Sequence, residues 1–525
     1  MNEIKKIIAQ MSLAEKVGQL FQIGFAGTEV TDGIKEMIEK YKVGNIIYFA
    51  RNIESPEQVR SMSGQLQEIA KATGPGLPLL ISTDQEGGTV TRLKGVTHFP
   101  GNMALGSARS KELAREAGES VGREIKSLGI NMNLAPVLDI NNNPDNPVIG
   151  VRSFGEDPQL VAELGISFIT GMQGQGVVAC GKHFPGHGDT NIDSHLALPV
   201  IKHGWARLDK VELYPFKKAI EAGLDSIMTA HVYFPTIEKK EGIPATLSSS
   251  VLTGLLRQKL GFEGLIITDC MEMNAIVSTF GTVTGAVMTI EAGSDMVLVS
   301  HSLDQAQLAV KAVIDAVENG RIAEKRLDQS LGRILSLKAK RLGLGVDQSP
   351  GTSELNFESG EGVAYRIAKK AVSLVKNDQK ILPLKREAKQ VLVCDFKMGM
   401  LALVENEQNH KNRLVDYLEK GGLAVDYHTF NADDPELPGS DYYDLVIVCT
   451  YNAASQPAQV EIINALQKRK SPLLVLALRN PYDLMVIPGI STFMTTYDLS
   501  PANLRVASEI ILGSLTPAGT LPVTI

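Results

Sequence analysis

The stretch "GLIITD" at residues 264–269 shows the pattern on which the fold depends. Three consecutive apolar residues, Leu265, Ile266 and Ile267, lead toward an aspartate, Asp269, with no polar residue alternating among them. An unalternating apolar run of this length is typical of a parallel β-strand that is buried on both faces. The stretch therefore predicts a buried strand with a carboxylate at its carboxyl end.

Seven other runs of the same kind lie between residues 19 and 300, and helical stretches such as "SKELAREAGESVGREIKSLG" separate most of them. Eight strand–helix units in a segment of this length fit a (β/α)8 TIM-like barrel of the α/β class. The seven runs are "LFQIGF" (20–25), "GNIIYF" (44–49), "LPLLISTD" (77–84), "INMNLAPVLD" (130–139), "GVVACGKHF" (176–184), "DSIMTAHV" (225–232) and "SDMVLVS" (294–300).

A second, smaller domain is predicted after the barrel. The segment 345–362, "GVDQSPGTSELNFESGEG", is rich in Gly, Ser and acidic residues, which indicates an interdomain linker. The prediction is therefore a catalytic barrel over 1–344, a linker over 345–362 and an α/β/α sandwich over 363–525. Strands of the sandwich are expected in "KQVLVCDF" (389–396), "YDLVIVCTY" (443–451) and "SPLLVLALRNP" (471–481).

Bulk composition disfavours several classes of partner. The 525 residues are 44% hydrophobic and 21% charged, with a net charge of −7, which is ordinary for a globular protein. Because no long basic run is present, neither nucleic acid nor an anionic membrane is expected to bind.

The N-terminal twenty residues have the charge distribution of an amphipathic helix and lack the apolar core and cleavage site of a signal peptide. No apolar run reaches the ~18 residues of a membrane span. These observations predict a cytoplasmic protein. The widely spaced cysteines Cys180, Cys270, Cys394 and Cys449 are expected to be buried free thiols.

Polar or ionisable residues stand at the carboxyl ends of most of the eight predicted strands. In a parallel barrel the carboxyl ends of all strands meet at one rim, where active sites form. Such a concentration at one rim predicts an active site rather than a purely structural barrel. The residues are Asp84, Asp139, Lys182, His183, His231, Asp269, Ser300 and His301.

The segment "KHFPGHGDTNIDSH" (182–195) continues the fifth strand as a glycine-bearing loop and allows three interpretations. His183 and His187 have the i, i+4 spacing of zinc ligands on a helix, but Pro185 and the glycines make a helix there implausible. A phosphate loop would lead into a helix N-terminus, and no helix start follows. Acid/base chemistry is the interpretation that the residues favour.

Asp193 and His195 carry that third interpretation. A carboxylate two residues before a histidine can orient the imidazole, which can then donate a proton and later accept one. Asp269, fixed on a strand end, could serve as the attacking carboxylate. The alternative for Asp269 is that it caps the N-terminus of the following helix, which the residue taken alone favours.

Five motifs occur in the order found in glycoside hydrolase family 3. The chain resembles this family, and within it the β-N-acetylglucosaminidases of the NagZ type, whose loop differs from that of the β-glucosidases by its Asp-x-His pair. The motifs are "STDQEGGTVTRL" (82–93), "LAPVLDINNNP" (134–144), "VIGVRSFG" (148–155), "KHFPGHGDTNIDSH" (182–195) and "TDCMEM" (268–273).

The resemblance implies roles for the matching residues. Asp269 is expected to be the nucleophile, His195 the general acid/base and Asp193 its partner. No metal or cofactor is implied, and the partner is a small GlcNAc-containing carbohydrate. The residues expected to hold the terminal sugar are Asp84, Arg92, Arg152, Lys182 and His183.

The expected activity is that of an exo-acting, retaining β-N-acetylglucosaminidase acting on peptidoglycan fragments or chito-oligosaccharides. Alternatives are a β-glucosidase or β-xylosidase, a glycoside phosphorylase, and a catalytically silent sugar-binding protein. Phosphorolysis is considered because a neutral imidazole repels phosphate less than the usual carboxylate would. The second domain is expected to have a structural or positioning role.

Overall fold

The computed structural model describes residues 2–525 except 347, 349, 352–353, 386, 397–404, 406–412 and 431–441. Eight parallel strands close into a barrel in the order β1-β10-β9-β8-β7-β6-β3-β2. Each predicted run overlaps one of them, so the predicted barrel is confirmed. The barrel strands are β1 (Phe21–Ile23), β2 (Asn45–Tyr48), β3 (Leu80–Thr83), β6 (Met132–Asn133), β7 (Val178–Phe184), β8 (Ser226–Thr229), β9 (Leu265–Cys270) and β10 (Met296–Val299).

A short antiparallel hairpin of β4 (Gln85–Gly87) and β5 (Val90–Thr91) follows β3 at the rim. A π-helix over Ser250–Lys259 precedes β9. The helices of this domain are α1 (Asn2–Gln10), α2 (Leu13–Gly18), α3 (Asp32–Glu39), α4 (Pro56–Lys71), α5 (Asn102–Ala108), α6 (Lys111–Ser127), α7 (Pro158–Gly174), α8 (Trp205–Lys210), α9 (Tyr214–Glu221), α10 (Asn274–Val277), α11 (Thr282–Ala292), α12 (Leu303–Glu318) and α13 (Glu324–Arg341).

Several of these helices begin where the sequence supplies a cap. The hydroxyl of Ser55 accepts the backbone N–H of Gln58 before α4, and Pro56 occupies the first turn. Asp157 accepts from Leu160 in the same way before α7. Such caps satisfy N–H groups that have no partner within the helix, at a gain of about 1 kcal/mol each.

The barrel strands are hydrophobic on both faces because they pack against the barrel interior and the surrounding helices. Ile46, Ile266 and Ile267 have no measurable exposure. Full burial of one such side chain stabilises the fold by about 1.5–3 kcal/mol. This rigid core fixes the strand ends from which the site is built.

The second domain contains a mixed sheet in the order β11-β16-β15-β14-β12-β13, antiparallel only at the β11–β16 pair. Its strands are β11 (Ser373–Asn377), β12 (Gln390–Phe396), β13 (Ala424–Phe430), β14 (Leu445–Thr450), β15 (Leu473–Ala477) and β16 (Thr492–Thr495), and its helices are α14 (Glu358–Ala371), α15 (Arg413–Lys420), α16 (Pro457–Leu466), α17 (Asp483–Val486) and α18 (Pro501–Leu512).

Helices cover both faces of this sheet, as the alternation along β14 shows. Leu445 and Ile447 belong to one buried cluster, whereas Val446 and Val448 belong to another on the opposite face. Because successive strand residues point to opposite faces, a strand that is apolar throughout needs two covering layers. The predicted α/β/α sandwich is confirmed.

The predicted linker over 345–362 ends too late. Helix α14 begins at Glu358, so the last five residues of the segment, 358–362, are helical. Gly360 packs so closely that an added Cβ would lie 2.1 Å from the carboxylate oxygen Oε1 of Glu124. This glycine reflects close packing of α14 against α6, and its presence in the sequence was wrongly interpreted as a sign of a linker.

The four cysteines are buried and form no disulfide. Within the part of the chain that the structure describes, no helix combines the length and the hydrophobicity that crossing a lipid bilayer requires.

Candidate active site

The predicted nucleophile lies at the end of β9, at the rim of the barrel. Asp269 is partly exposed, and its Oδ1 accepts the backbone N–H of Cys270 at 2.7 Å. Helix α10 starts only at Asn274, with Met273 at the capping position. Asp269 is therefore not a helix cap, and the structural alternative for this residue is wrong.

Three histidines keep Asp269 ionised. Burial alone would raise the pKa of its carboxyl group, but the nearby imidazoles of His231, His183 and His195 bring the pKa below its ordinary value. A carboxylate that stays charged at neutral pH can attack an electron-poor carbon.

His231 supports the strand end that carries Asp269. The ring is fully buried, and its Nε2 donates to the carbonyl oxygen of Cys270 at 2.9 Å, while Nδ1 lies 2.8 Å from the hydroxyl of Thr246. Burial lowers the pKa of His231. This strand-end residue fixes the backbone beside the nucleophile.

The loop after β7 presents Asp193 and His195 as a pair. The Oδ1 of Asp193 lies 2.7 Å from the ring Nδ1 of His195 and also accepts the backbone N–H of His195 at 2.9 Å. Burial would raise the pKa of Asp193, but its contacts with His195 lower it. The carboxylate therefore fixes the orientation of the ring, while 26% of the His195 side chain stays exposed.

Two further contacts hold this loop beside the nucleophile. The Nε2 of His187 lies 3.0 Å from the hydroxyl of Ser194, and the carbonyl oxygen of Ser194 accepts the backbone N–H of Ala275 at 3.3 Å. Ala275 belongs to α10, six residues after Asp269. Ser194, which lies between Asp193 and His195, is thus hydrogen-bonded to the segment that follows the nucleophile.

A buried cluster of charges joins four rim residues. Lys182 Nζ lies 2.7 Å from both Asp84 Oδ1 and Glu86 Oε1. The guanidinium group of Arg152 donates to the two oxygens of Glu86 at 2.8 and 2.9 Å. The contacts of Glu86 with these cations outweigh its burial and lower its pKa. The predicted residues Asp84, Lys182 and Arg152 therefore lie together.

Glu86 itself was not predicted. It lies two residues after Asp84, in the short strand β4, and only its pairing with distant residues reveals its role. The sequence cue was the alternation of acidic residues in "TDQEGG" (83–88), since residues two apart on an extended chain share one side.

Asp139 orients His183, another of the residues predicted to contact the sugar. Its Oδ2 lies 2.7 Å from His183 Nδ1, and its Oδ1 accepts the backbone N–H of His187 at 2.7 Å. Lys182 and His183 are consecutive, and the pairing of β7 with β8 is irregular around them, between Gly181 and Phe184. The observed strand β6 ends at Asn133, so Asp139 lies in the segment after the strand and not at its end, and no role was predicted for it.

Arg92 lies at the edge of the cluster. Its Nη2 is 3.9 Å from Asp84 Oδ2, and its guanidinium carbon lies 5.7 Å from the centre of the Phe49 ring. Its side chain is buried beside Asp84.

His301 is directed to another part of the rim. Its ring centre lies 5.6 Å from that of Phe49, and its Nδ1 lies 3.5 Å from Arg51 Nη1. The last strand end therefore adds aromatic and cationic side chains, which meet the Asp84–Glu86 cluster at Arg92.

A metal is not needed to explain any of these clusters. Among the described residues, the group with metal-ligand character is Asp189, His203 and Glu212. Arg207 already provides a cation there, with its Nη2 3.4 Å from Asp189 and 3.2 Å from Glu212.

The zinc interpretation of the loop histidines has no support in the geometry. The Nδ1 of His183 contacts Asp139, and both ring nitrogens of His187 contact hydroxyl groups, those of Thr190 and Ser194. Burial lowers the pKa of His187 to about 4. This histidine is therefore a neutral hydrogen-bonding residue at physiological pH.

The rim thus combines an ionised carboxylate, an imidazole with its own carboxylate, and a set of buried charges able to bind hydroxyl groups. The family model described as "Glycosyl hydrolase family 3 N terminal domain" matches residues 12–337. The chain belongs to glycosyl hydrolase family 3. It is a glycoside hydrolase, as the sequence motifs indicated.

The similarity to known proteins extends over both domains. A "Beta-hexosaminidase A" of Pseudoalteromonas piscicida is 30% identical, with 95% of this chain and 92% of that protein covered. A "Beta-N-acetylglucosaminidase/beta-glucosidase" of Cellulomonas fimi is 28% identical, with coverage of 99% and 95%. A family 3 β-N-acetylglucosaminidase structure from Paenibacillus sp. str. FPU-7 has 44% identity, a TM-score of 0.91 and coverage of 98% and 99%.

Proposed function

We propose that the protein is an exo-acting, retaining β-N-acetylglucosaminidase that removes non-reducing terminal GlcNAc from peptidoglycan fragments or chito-oligosaccharides. The names of the Pseudoalteromonas and Paenibacillus relatives support this substrate class. The residues assigned to the reaction lie within 1–344, which we propose as the catalytic domain.

One observation carries the proposal. The Asp193–His195 pair, with 2.7 Å between its hydrogen-bonding atoms, lies on a loop that is bonded to the segment after Asp269. An acid/base group and a nucleophile are thus held at one rim by separate elements, the arrangement that double displacement at an anomeric carbon requires.

In the first step a carboxylate oxygen of Asp269 forms a bond to the anomeric carbon while the bond from that carbon to the leaving oxygen breaks. Protonated His195 gives its proton to the leaving oxygen and becomes neutral. The product is an α-linked glycosyl ester. Asp193 stabilises the charged ring before the transfer and keeps its orientation afterwards.

In the second step neutral His195 accepts a proton from water as the water oxygen attacks the same carbon. The ester bond to Asp269 breaks, the carboxylate is released, and a β-configured sugar forms. Two inversions give net retention. The charges of Asp84, Glu86, Lys182 and Arg152 would bind the hydroxyl groups of the sugar in both steps.

Two measurements test the proposal. Hydrolysis of p-nitrophenyl GlcNAc should exceed that of the glucoside and the xyloside, and proton NMR of the first sugar released should show the β-anomer. A preference for the glucoside would favour the second activity in the name of the Cellulomonas relative. Initial release of the α-anomer would contradict a retaining mechanism.

A further inference from the structure

A buried carboxylate of the second domain contacts the barrel domain behind the sugar-binding cluster. Asp498 is 1% exposed. Its Oδ2 accepts the backbone N–H of Gly101 at 2.7 Å, and its Oδ1 accepts from the backbone N–H of Ser500 at 2.8 Å and the amide of Asn503 at 3.0 Å. Both oxygens of Asp498 are therefore needed as acceptors.

The backbone around this contact is packed without room for side chains. At Gly88, whose φ is +58°, an added Cβ would lie 2.8 Å from the Cα of Gly101 and 3.3 Å from Asp498 Oδ2. Gly88 lies two residues after Glu86, so Asp498 packs closely against the hairpin that carries Glu86.

Asn102, the residue next to Gly101, extends the contact to Arg152, which pairs with Glu86. Asn102 is 2% exposed, and its amide donates to the carbonyl oxygen of Arg152 at 2.7 Å. A continuous path therefore runs from Asp498 through Gly101 and Asn102 to Arg152, whose guanidinium group binds Glu86.

Two other residues of the second domain contact the loop that bears Arg152. A Cβ added to Gly150 would lie 3.0 Å from the side-chain oxygen of Asn480. The hydroxyl of Tyr482 accepts a hydrogen bond from the amide of Asn141 at 2.9 Å. The second domain thus holds both loops that supply the Glu86–Arg152 pair.

The backbone that presents Asp498 is itself strained. Tyr497, the preceding residue, has a φ of +67° although it is not glycine. Its hydroxyl lies 2.8 Å from that of Ser373, which lies 3.0 Å from the hydroxyl of Ser107 in α5. Backbone in this region persists where the surroundings impose it, and such strain clusters at functional sites.

We propose that Asp498 is a positioning residue for the sugar pocket, acting through Gly101 and Asn102 on the Arg152–Glu86 pair. The inference rests on the sugar-binding role assigned above to that pair. The second domain then contributes to substrate affinity without supplying a group that touches the reacting atoms. His195 and Asp269 lie on other elements, the loop after β7 and the strand β9, whereas the hydrogen-bond partners of Asp498 among the described residues are Gly101, Ser500 and Asn503.

The substitution Asp498→Asn tests the proposal at constant size. In either orientation of the amide, an NH2 group would face an N–H donor, either that of Gly101 or those of Ser500 and Asn503. We expect KM for p-nitrophenyl GlcNAc and Kd for GlcNAc to rise about tenfold, with kcat changed less than about threefold, since uniform sugar binding is lost. The pH profile of kcat should be unchanged.

Asp444→Asn is the matched control. Asp444 also lies in the second domain and accepts two backbone N–H groups, those of Lys389 and Gln390, at 2.7 and 3.0 Å, but it does so away from the barrel. Its KM should stay at the wild-type value. A KM for Asp498→Asn within twofold of wild type, or an equal change in both variants, would overturn the proposal.

A second variant covers the case in which Asp498→Asn does not fold. Asn102→Ala removes the next step of the path and should raise KM about fivefold. An unchanged KM would overturn the proposal. In the double variant Asp498→Asn/Asn102→Ala, KM should be at most about twice that of the single variant with the higher KM. The effects of two substitutions on one path are not additive. Full multiplication of the two effects would also overturn it.

Failure of the proposed function can be distinguished from failure of the positioning role of Asp498. If the wild-type protein neither binds GlcNAc nor hydrolyses its glycosides, both the proposed function and the positioning role fail. If the wild type is active and Asp498→Asn is indistinguishable from it, only the positioning role fails.

Discussion

The ring nitrogen Nδ1 of His195 lies 2.7 Å from Oδ1 of Asp193, in a loop that is bonded through Ser194 to the segment following Asp269. This geometry leaves Nε2 of His195 as the nitrogen for proton transfer.

Replacement of His195 by alanine should affect substrates according to their leaving groups. An activated aryl group leaves without much protonation, whereas a sugar hydroxyl needs a proton in the transition state. We expect kcat/KM to fall by about 10²–10⁴ for chitobiose and by less than about tenfold for a dinitrophenyl glycoside. Equal losses for both would contradict the acid role.

The matched control is His203→Gln. His203 also contacts an aspartate of the same loop, Asp189, at 2.6 Å, but it lies at the base of the loop. If this substitution reproduced the leaving-group dependence, general disturbance of the loop would explain the result instead of proton transfer.

Much of this site could be predicted because barrel strands are short and apolar and are followed by polar residues at their carboxyl ends. The pattern located all eight strands and placed Asp84, Asp139, Lys182 and Asp269 at one rim. Glu86 was missed because its importance depends on Arg152, which is 66 residues away in the sequence and close only in the folded rim. The spacing of Asp84 and Glu86 indicates that they share one side of the chain, but it does not identify Arg152 as a partner.

The start of α14 was missed for a related reason. The composition of 345–362 indicated a linker, whereas Gly360 within it allows α14 to approach the side chains of Glu124 and Thr97. Composition does not distinguish a glycine required by packing from one in a linker. The contact of Asp498 with Gly101 joins residues 397 positions apart, so it too could not be found from local sequence.

Glu86→Gln should weaken both stability and substrate binding. It leaves Arg152 and Lys182 buried with less negative charge, and breaking a buried ion pair costs about 3–5 kcal/mol. We expect a clear decrease in the thermal midpoint and an increase in KM of about tenfold or more. Calorimetry and steady-state kinetics measure the two effects.

Glu291→Gln provides the comparison for that change. Glu291 binds Arg321 through two hydrogen bonds of 2.8 Å, the same bidentate geometry, but the Arg321 side chain is 50% exposed. An exposed pair contributes about 0–1 kcal/mol. Similar decreases in midpoint for both variants would show that burial of the Glu86 pair has no special effect.

Stability should depend on pH through Lys338. Burial lowers its pKa to about 7 from the ordinary 10.5, and its Nζ donates only to the neutral acceptors Gln19 Oε1 and Gly44 O among the described residues. Between pH 7 and 10.5 the unfolded chain binds the extra proton, so the free energy of unfolding rises with pH by up to about 1.4 kcal/mol per unit.

Lys338→Met removes this dependence. The difference in thermal midpoint, variant minus wild type, should therefore decrease as the pH is raised from 7 to 10, whatever its starting value. Lys325→Met, on the exposed side of the same helix α13, should show a difference that does not change with pH. A constant difference for Lys338→Met would contradict a depressed pKa.

Phosphate should replace water in part of the turnovers at high concentration. Once His195 has given up its proton it is neutral, so a phosphate anion approaching the glycosyl ester is repelled less than by a carboxylate. We expect GlcNAc 1-phosphate to appear in ³¹P NMR spectra of reactions run in concentrated phosphate, with sulfate at equal ionic strength as the control. Release of free GlcNAc alone would exclude phosphorolysis.

The most direct test of the mechanism is to trap the covalent intermediate. Incubation with a 2-acetamido-2-deoxy-5-fluoro glycosyl fluoride, followed by peptide mapping, should yield one labelled peptide with the sugar on Asp269. The variant Asp269→Ala should be folded, unlabelled and inactive. A label on another carboxylate, or turnover that persists in Asp269→Ala, would contradict the assignment of Asp269 as nucleophile.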